Sequence, residues 1–176
     1  SKSKFSNNLL IKNITIDSKA TNKNYIFFAI QWKKIVGNRF VPEFLQKKAS
    51  LAIVNRINKN CAISKQIKVK NSLNFLTKCS SIYRDNISAK VISITGSCGK
   101  TTLKEMMGYV LKKTSKTSYS PRSFNNKYGV PLSLFNLKQN DDFGILEVGM
   151  DKKGEIDNLT KIIKPDLGVI TNISYA

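Results

Sequence analysis

A chain of 176 residues with 41% hydrophobic content is long enough to bury a real core, and by length it holds one domain or two small ones. No apolar run approaches the roughly 18 residues that span a bilayer. Residues 1–13 are too polar for a secretory leader, which points to the cytoplasm without membrane insertion. Three widely spaced cysteines and no histidine support neither a disulfide framework nor a zinc site.

The formal charge of +19 is unevenly spread, with net +15 in residues 1–90 and net +4 in residues 91–176. A balance this basic is ordinarily the footprint of a nucleic-acid or anionic-membrane partner. Only four of the 30 basic residues are arginine (Arg39, Arg56, Arg84, Arg122), no aromatic ladder accompanies them, and asparagine and isoleucine are abundant beside lysine. Scattered, solvated lysines are the preferred reading, without a nucleic-acid partner; a basic nucleic-acid or anion-binding module is the alternative.

In chain order, Leu9 to Ile16 reads as a first strand, followed by Asp17-Ser18-Lys19 and a polar loop to Asn24. Tyr25 to Ile30 is a second strand, fully apolar. A loop carrying Trp32 and Gly37 leads to a short helix from Val41 to Lys48, with Pro42 suited to its first turn, and then to a strand at Leu51 to Val54. A further strand is expected at Ala62 to Val69. Ser72 is the expected N-cap of a helix to Asp85, with Leu73, Leu76, Cys79, Ile82 and Tyr83 along one face. The polar stretch Tyr83 to Lys90 is the expected domain boundary.

Val91, Ile92 and Ile94 make the β-branched run of a buried parallel strand, which Gly96 and Gly99 break. Leu103, Met106, Met107, Val110 and Leu111 then fall on one face of a helix. Strand, glycine turn and helix together make an anion site, because glycines let backbone N–H groups turn inward and the helix start adds unpaired donors. In such a site Lys100 reaches the β- and γ-phosphates of a nucleotide and the Thr101 hydroxyl completes a Mg²⁺ shell, while Thr102 caps or packs. Ile94 stands where the usual G-x-x-x-x-G-K-[ST] loop has its first glycine, and the competing reading is an ordinary glycine-rich turn with a solvated lysine. Cys98, inside the loop, is read as a small residue that fits, with a redox-sensitive thiol as the alternative.

Thr114 to Tyr128 is a long polar stretch, expected as a functional or disordered loop. A short helix follows Gly129-Val130-Pro131. Phe143 to Val148 is a strand, Glu155 to Lys164 a helix closed by Pro165, and Leu167 to Ile173 a last strand. Repeated strand–helix–strand units imply a parallel sheet covered by helices, hence an α/β fold. Glu147 is a lone carboxylate near the C-terminal end of an apolar strand, the edge where open α/β sheets bind ligands. It holds Mg²⁺, or is satisfied by Lys100 or by backbone N–H groups. Asp151, Glu155 and Asp157 fit the acidic preference of a helix start.

Four ordered blocks resemble the Mur ligases: T-G-S-C-G-K-T-T at 95–102, F-N-N-K-Y-G-V-P-L-S-L at 124–134, I-L-E-V-G-M at 145–150 with G-E-I at 154–156, and K-P-D-L-G-V-I-T-N-I at 164–173. Asn125-Asn126 with Gly129 and Pro131 is most similar to the branch that adds D-Ala-D-Ala. The resemblance implies a small N-terminal α/β substrate domain over 1–86, followed by a partial P-loop-type parallel-sheet ATPase domain over 87–176. It implies ATP-dependent amide synthesis through an acyl phosphate in peptidoglycan precursor formation, joining D-Ala-D-Ala to UDP-MurNAc-tripeptide, by a monomer.

Carried onto this sequence, the resemblance places ATP against Gly96, Ser97, Cys98, Gly99, Lys100, Thr101, Thr102, Asn125 and Asn126. It places Mg²⁺ on Thr101 and Glu147, catalytic roles on Lys100 and Glu147, and the uridine-diphosphate part of the substrate near Ser18. Since the family ordinarily continues with further ligands and a C-terminal domain, the expectation is a shortened chain that does not turn over alone. A non-catalytic remnant is a further alternative.

Overall fold

The computed structural model describes residues 11–20, 24–32, 35–46 and 51–174. Contacts divide the chain into two compact units, Ser1–Leu76 and Thr77–Ala176. In the first, β1 (Asn13–Thr15), β2 (Tyr25–Phe28), β5 (Leu51–Val54) and β6 (Gln66–Lys68) form a parallel sheet in the order β1-β2-β5-β6. All four residues of β5 are buried, as a central parallel strand covered on both faces requires. Helix α1 (Val41–Gln46) lays Val41, Phe44 and Leu45 against Phe27, Ala52 and Val54, and the Phe27 and Phe44 rings stack at 4.8 Å.

Several details differ from the sequence expectations. The expected first strand is three residues long where described, and its start at 9–10 lies outside the described residues. The loop around Trp32 holds a two-stranded antiparallel ribbon, β3 (Gln31–Trp32) and β4 (Ile35–Val36), and then a 3-10 turn over Gly37–Phe40. The expected strand at 62–69 opens with a 3-10 turn, Ile63–Lys65, before β6. Helix α2 (Ser72–Asp85) is capped by Asn71, whose Oδ1 accepts the Asn74 N–H at 3.0 Å, while the Ser72 hydroxyl is turned to Asn55. Ser72 is thus the first helical residue and not the cap, because Asn71 has the acceptor three residues before a free N–H. Ile82 is exposed, off the buried face assigned to it.

The second unit contains β7 (Lys90–Thr95), α3 (Lys100–Leu111), β8 (Thr117–Tyr119), α4 (Gly129–Leu134), β9 (Phe143–Glu147), α5 (Glu155–Ile163) and β10 (Leu167–Ile170). Its sheet is wholly parallel, in the order β10-β7-β9-β8. The alternation of strand side chains sets its two faces. Val91, Leu146 and Val148 meet Val130, Leu134, Leu159 and Ile163 from α4 and α5, whereas Ile92, Ile94 and Ile145 meet Leu103, Met107 and Leu111 from α3. Glu147, two residues after Ile145, shares the α3 face.

The polar stretch at 114–128 is not all loop, since it supplies the edge strand β8. Short edge strands of Thr, Ser and Tyr carry little hydrophobic signal. The face of α3 is also rotated from its expected position: Met106 and Val110 are exposed, and the fully enclosed positions are Lys104 and Gly108. A Cβ on Gly108 would lie 2.6 Å from the Tyr119 ring, so β8 approaches α3 closely there. Among the described residues no helix is long and apolar enough to cross a membrane.

Candidate functional site

The C-terminal ends of β7 and β9 lie side by side, with Ile94 registered opposite Glu147. That register brings the segment after β7 next to the carboxylate that ends β9. Gly96 (φ 137°) and Gly99 (φ 82°) have positive φ, which L side chains rarely adopt, and a Cβ on Gly96 would strike Thr171 Oγ1 at 2.1 Å. A side chain at 96 would therefore push away the segment that follows β10.

That segment holds the loop. Ser97 N–H donates to the Asn172 carbonyl at 3.0 Å, Cys98 N–H donates to Asn172 Oδ1 at 3.1 Å, and Thr171 Oγ1 donates to the Cys98 carbonyl at 2.6 Å. Two amides expected to face a ligand are thus taken by Asn172. The helical ladder of α3 begins with Leu103 N–H to Gly99 C=O at 2.9 Å, so the N–H groups of Lys100, Thr101 and Thr102 stand ahead of the first rung. These three, with the positive helix end, are the anion-binding donors that remain. The Lys100 ammonium folds back on the Gly96 carbonyl and lies 3.3 Å from the Ser97 carbonyl. Cys98 and Thr102 are exposed.

Glu147 is fully buried, and its two oxygens face different partners. Oε2 accepts the Thr101 hydroxyl at 3.2 Å. Oε1 lies 3.1 Å from the Lys104 ammonium, close enough for an ion pair but off the angle of a hydrogen bond, and no other group bonds it. Its cation is Lys104, one helical turn beyond Lys100. Sequence reading passed over Lys104 because a lysine on an amphipathic helix is normally solvated; no local signal marks it as enclosed.

A Mg²⁺ ion needs six oxygens at about 2.1 Å and takes few of them from protein. Thr101 Oγ1 and Glu147 Oε2 are two suitable oxygens: the one hydrogen-bond donor to Oε2 is the Thr101 hydroxyl, which can itself turn its oxygen to a cation, while Oε1 faces the Lys104 ammonium. Among the described residues no three Cys, Asp or Glu cluster, so further oxygens would have to come from phosphates and water.

Asn126 and Asn125 follow β8 in the same unit. Asn126 Oδ1 accepts the N–H groups of Tyr128 and Gly129, each at 3.0 Å, and so serves the start of α4. The Asn125 carbonyl accepts the Gly149 N–H at 2.6 Å, which ties this segment to the residues after β9. Ser18, in the first unit, is buried in a turn where Asp17 N–H donates to Thr15 Oγ1 at 3.0 Å. That unit also has a cleft of about 380 Å³ lined by Gln31, Asn38, Asn55 and Arg56, and a neighbouring one of about 430 Å³ that adds Arg39 and Lys59. The sequence alone gives none of these a site role, because loop residues that converge from 18 positions apart leave no periodic trace.

Residues 94–176 match the Mur ligase middle domain. The chain belongs to the Mur ligase family. It is 36% identical over 166 residues to the UDP-N-acetylmuramoyl-tripeptide–D-alanyl-D-alanine ligase of Buchnera aphidicola subsp. Baizongia pistaciae, across 94% of this chain and 36% of that protein. A crystal structure of MurF from Acinetobacter baumannii superposes with a TM-score of 0.86 at 32% identity, over 94% of this chain and 36% of the other. MurF of Thermotoga maritima, solved in complex with ADP, gives 0.80 at 32% identity, over 94% and 38%. This Mur ligase chain therefore spans little more than a third of the length of the relatives it matches. Its α/β fold with parallel sheets is that of the MurF structures.

Proposed function

We propose that this chain carries the nucleotide-phosphate and metal-binding front of an ATP-dependent ligase that joins D-Ala-D-Ala to UDP-MurNAc-tripeptide in peptidoglycan precursor synthesis. The observation that carries the reading is the Thr101–Glu147 contact at the N-terminus of α3, directly behind Lys100. A helix start supplies amides and a positive end for phosphates, the Lys100 ammonium is free to swing from its carbonyl partners to the β- and γ-oxygens, and Thr101 and Glu147 would hold Mg²⁺. The ion, when bound, supplies neutralisation of charge on the phosphoryl group being transferred to the substrate carboxylate.

The protein's part is alignment and charge. Glu147 is positioned by β9, Thr101 and Lys100 by α3, and the two elements are fixed by the pairing of β7 with β9. Asn125, Asn126 and the loop residues Gly96, Ser97, Cys98, Gly99 and Thr102 are proposed as the remaining nucleotide contacts. Asn172 would have to release the Ser97 and Cys98 amides for these to take part. In the first unit Ser18 is proposed to lie near the uridine-diphosphate part of the substrate. The cleft with Arg39, Arg56 and Lys59 offers positive charge for an anionic ligand. The reading takes the working protein as a cytoplasmic monomer without a nucleic-acid partner.

The test is the affinity of the chain for ATP by calorimetry with and without Mg²⁺. The expected result is binding tightened by Mg²⁺ and weakened about 10-fold or more by Lys100→Ala, the loss of one charge-assisted contact. Absence of Mg²⁺-dependent affinity for any nucleoside triphosphate, or full affinity in Lys100→Ala, would overturn it.

A further inference from the structure

Lys104 is a lysine with no solvent exposure, an unusual place for an ammonium group. Its charge is met on several sides. Nζ donates to the Arg122 carbonyl at 2.6 Å, lies 3.1 Å from Glu147 Oε1 and 3.2 Å from Glu105 Oε1, and stands 5.9 Å from the centre of the Tyr119 ring. Arg122 has φ 51°, and this left-handed residue is the one whose carbonyl Lys104 holds. Gly108, one turn on, lets the Tyr119 ring close over the helix. One ammonium therefore ties together α3, the end of β9 and the segment between β8 and α4 that carries Asn125 and Asn126.

We infer that Lys104 is a positioning residue for the metal site: it holds Glu147 through Oε1 and so presents Oε2, beside Thr101, to Mg²⁺. The inference rests on the proposed reading of Thr101 and Glu147 as metal ligands. Without Lys104 the enclosed carboxylate has one neutral hydrogen-bond donor and no cation, and either oxygen can rotate toward the helix. With it, the oxygens are distinguished: one is committed to the interior cation and the other is left on the side of the α3 N-terminus. Lys100 and Lys104, one turn apart, divide the work, the first available to a ligand and the second locked in the wall.

The experiment measures the increment that Mg²⁺ adds to ATP affinity in the full 176-residue chain, in wild type and in Glu147→Gln, Lys104→Met and Lys104→Gln. The last retains a donor for the Arg122 carbonyl without the charge. Loss of a group that orients a metal ligand typically costs about 10- to 100-fold in metal affinity, so the increment should fall at least about 10-fold in both Lys104 variants. A folded Lys104 variant with the wild-type increment overturns the inference while leaving the metal reading intact. A wild type without any increment, or Glu147→Gln that keeps it, overturns the metal reading and the inference with it.

If neither Lys104 variant folds, the wild type decides through the ¹⁵Nζ resonance of its buried ammonium. That resonance should move when Mg²⁺ is added to the ATP complex. A resonance that stays in place, while Glu147→Gln abolishes the increment, overturns the inference alone.

Discussion

The two ends of the second unit's sheet each hold a carboxylate beside cations, and they use them in opposite ways. At the N-terminal end Asp166 is partly exposed and fully engaged: Oδ2 accepts the Val91 N–H at 2.9 Å and an Arg84 N–H at 3.0 Å, and Oδ1 pairs with Lys90 at 3.1 Å. Arg84 also donates to the carbonyls of Ile163, Lys164 and Ile87, which closes the C-terminus of α5. At the C-terminal end Glu147 is fully enclosed, with an oxygen that accepts no hydrogen bond and a threonine hydroxyl on the other. One end uses up its hydrogen-bonding capacity to hold the fold; the other sets one oxygen against an interior cation and leaves the second with a single neutral donor, at the edge where parallel sheets bind ligands.

The strongest way to break this comparison is at the enclosed pair. Glu147→Ala leaves Lys104 buried without its carboxylate and should cost about 3–5 kcal/mol in unfolding free energy. The double variant Glu147→Leu/Lys104→Met should cost much less, because both desolvation penalties disappear together. Equal losses in urea melts of the two proteins would show that the pair is not energetically coupled.

At the opposite end, Arg84→Ala strips charge-assisted donors from three carbonyls and one carboxylate, an expected loss of about 2–3 kcal/mol. Unlike Glu147→Ala it should leave nucleotide affinity unchanged, which sharpens the division between holding and binding. Reduced Mg²⁺-ATP affinity in folded Arg84→Ala would erase that division.

Gly108→Ala addresses the roof over Lys104. The helix gains about 1 kcal/mol in intrinsic propensity, but the new methyl group meets the Tyr119 ring at 2.6 Å. Overpacking of this kind costs about 1–3 kcal/mol, so thermal melting should show a net loss. A stabilised Gly108→Ala would mean that Tyr119 moves aside freely and that the roof is not close-packed.

The smallest effect is in acid. Asp166 is held below the ordinary carboxylate range, first by the Val91 N–H and then by Lys90 and Arg84. A depressed folded-state value stabilises the protein above the unfolded carboxylate pKa of about 3.9, and that contribution is lost as pH falls from there through the folded value. With the carboxylate about a third exposed, less than about 1 kcal/mol is at stake. Asp166→Asn should flatten this part of the stability–pH curve below about pH 4, and an unchanged curve would place the acid sensitivity elsewhere.

Much of the architecture was legible in residue order. The apolar runs of β5, β7 and β9, the glycine turn before α3, and Pro165 after α5 each carry a local backbone reason for the element they form. The same holds for Lys100 and Thr101, which a strand–glycine–helix segment places in the first turn of the helix. Less was legible where a residue's surroundings come from afar. Met106 and Val110 fit a helical stripe yet face outward. Ser72 looks like a cap, but Asn71 serves because Asn55 claims the serine hydroxyl.

The order of amino acids was enough to specify an α/β fold, a parallel sheet and a glycine turn between strand and helix, because hydrophobic period, glycine freedom and capping act over a few residues. Which lysine partners Glu147, and that Asn172 occupies two amides of the turn, emerged when strands separated by 50 to 80 positions came into register. Charge compensation in an enclosed space depends on what lies within about 4 Å, and distance along the chain carries almost no information about that.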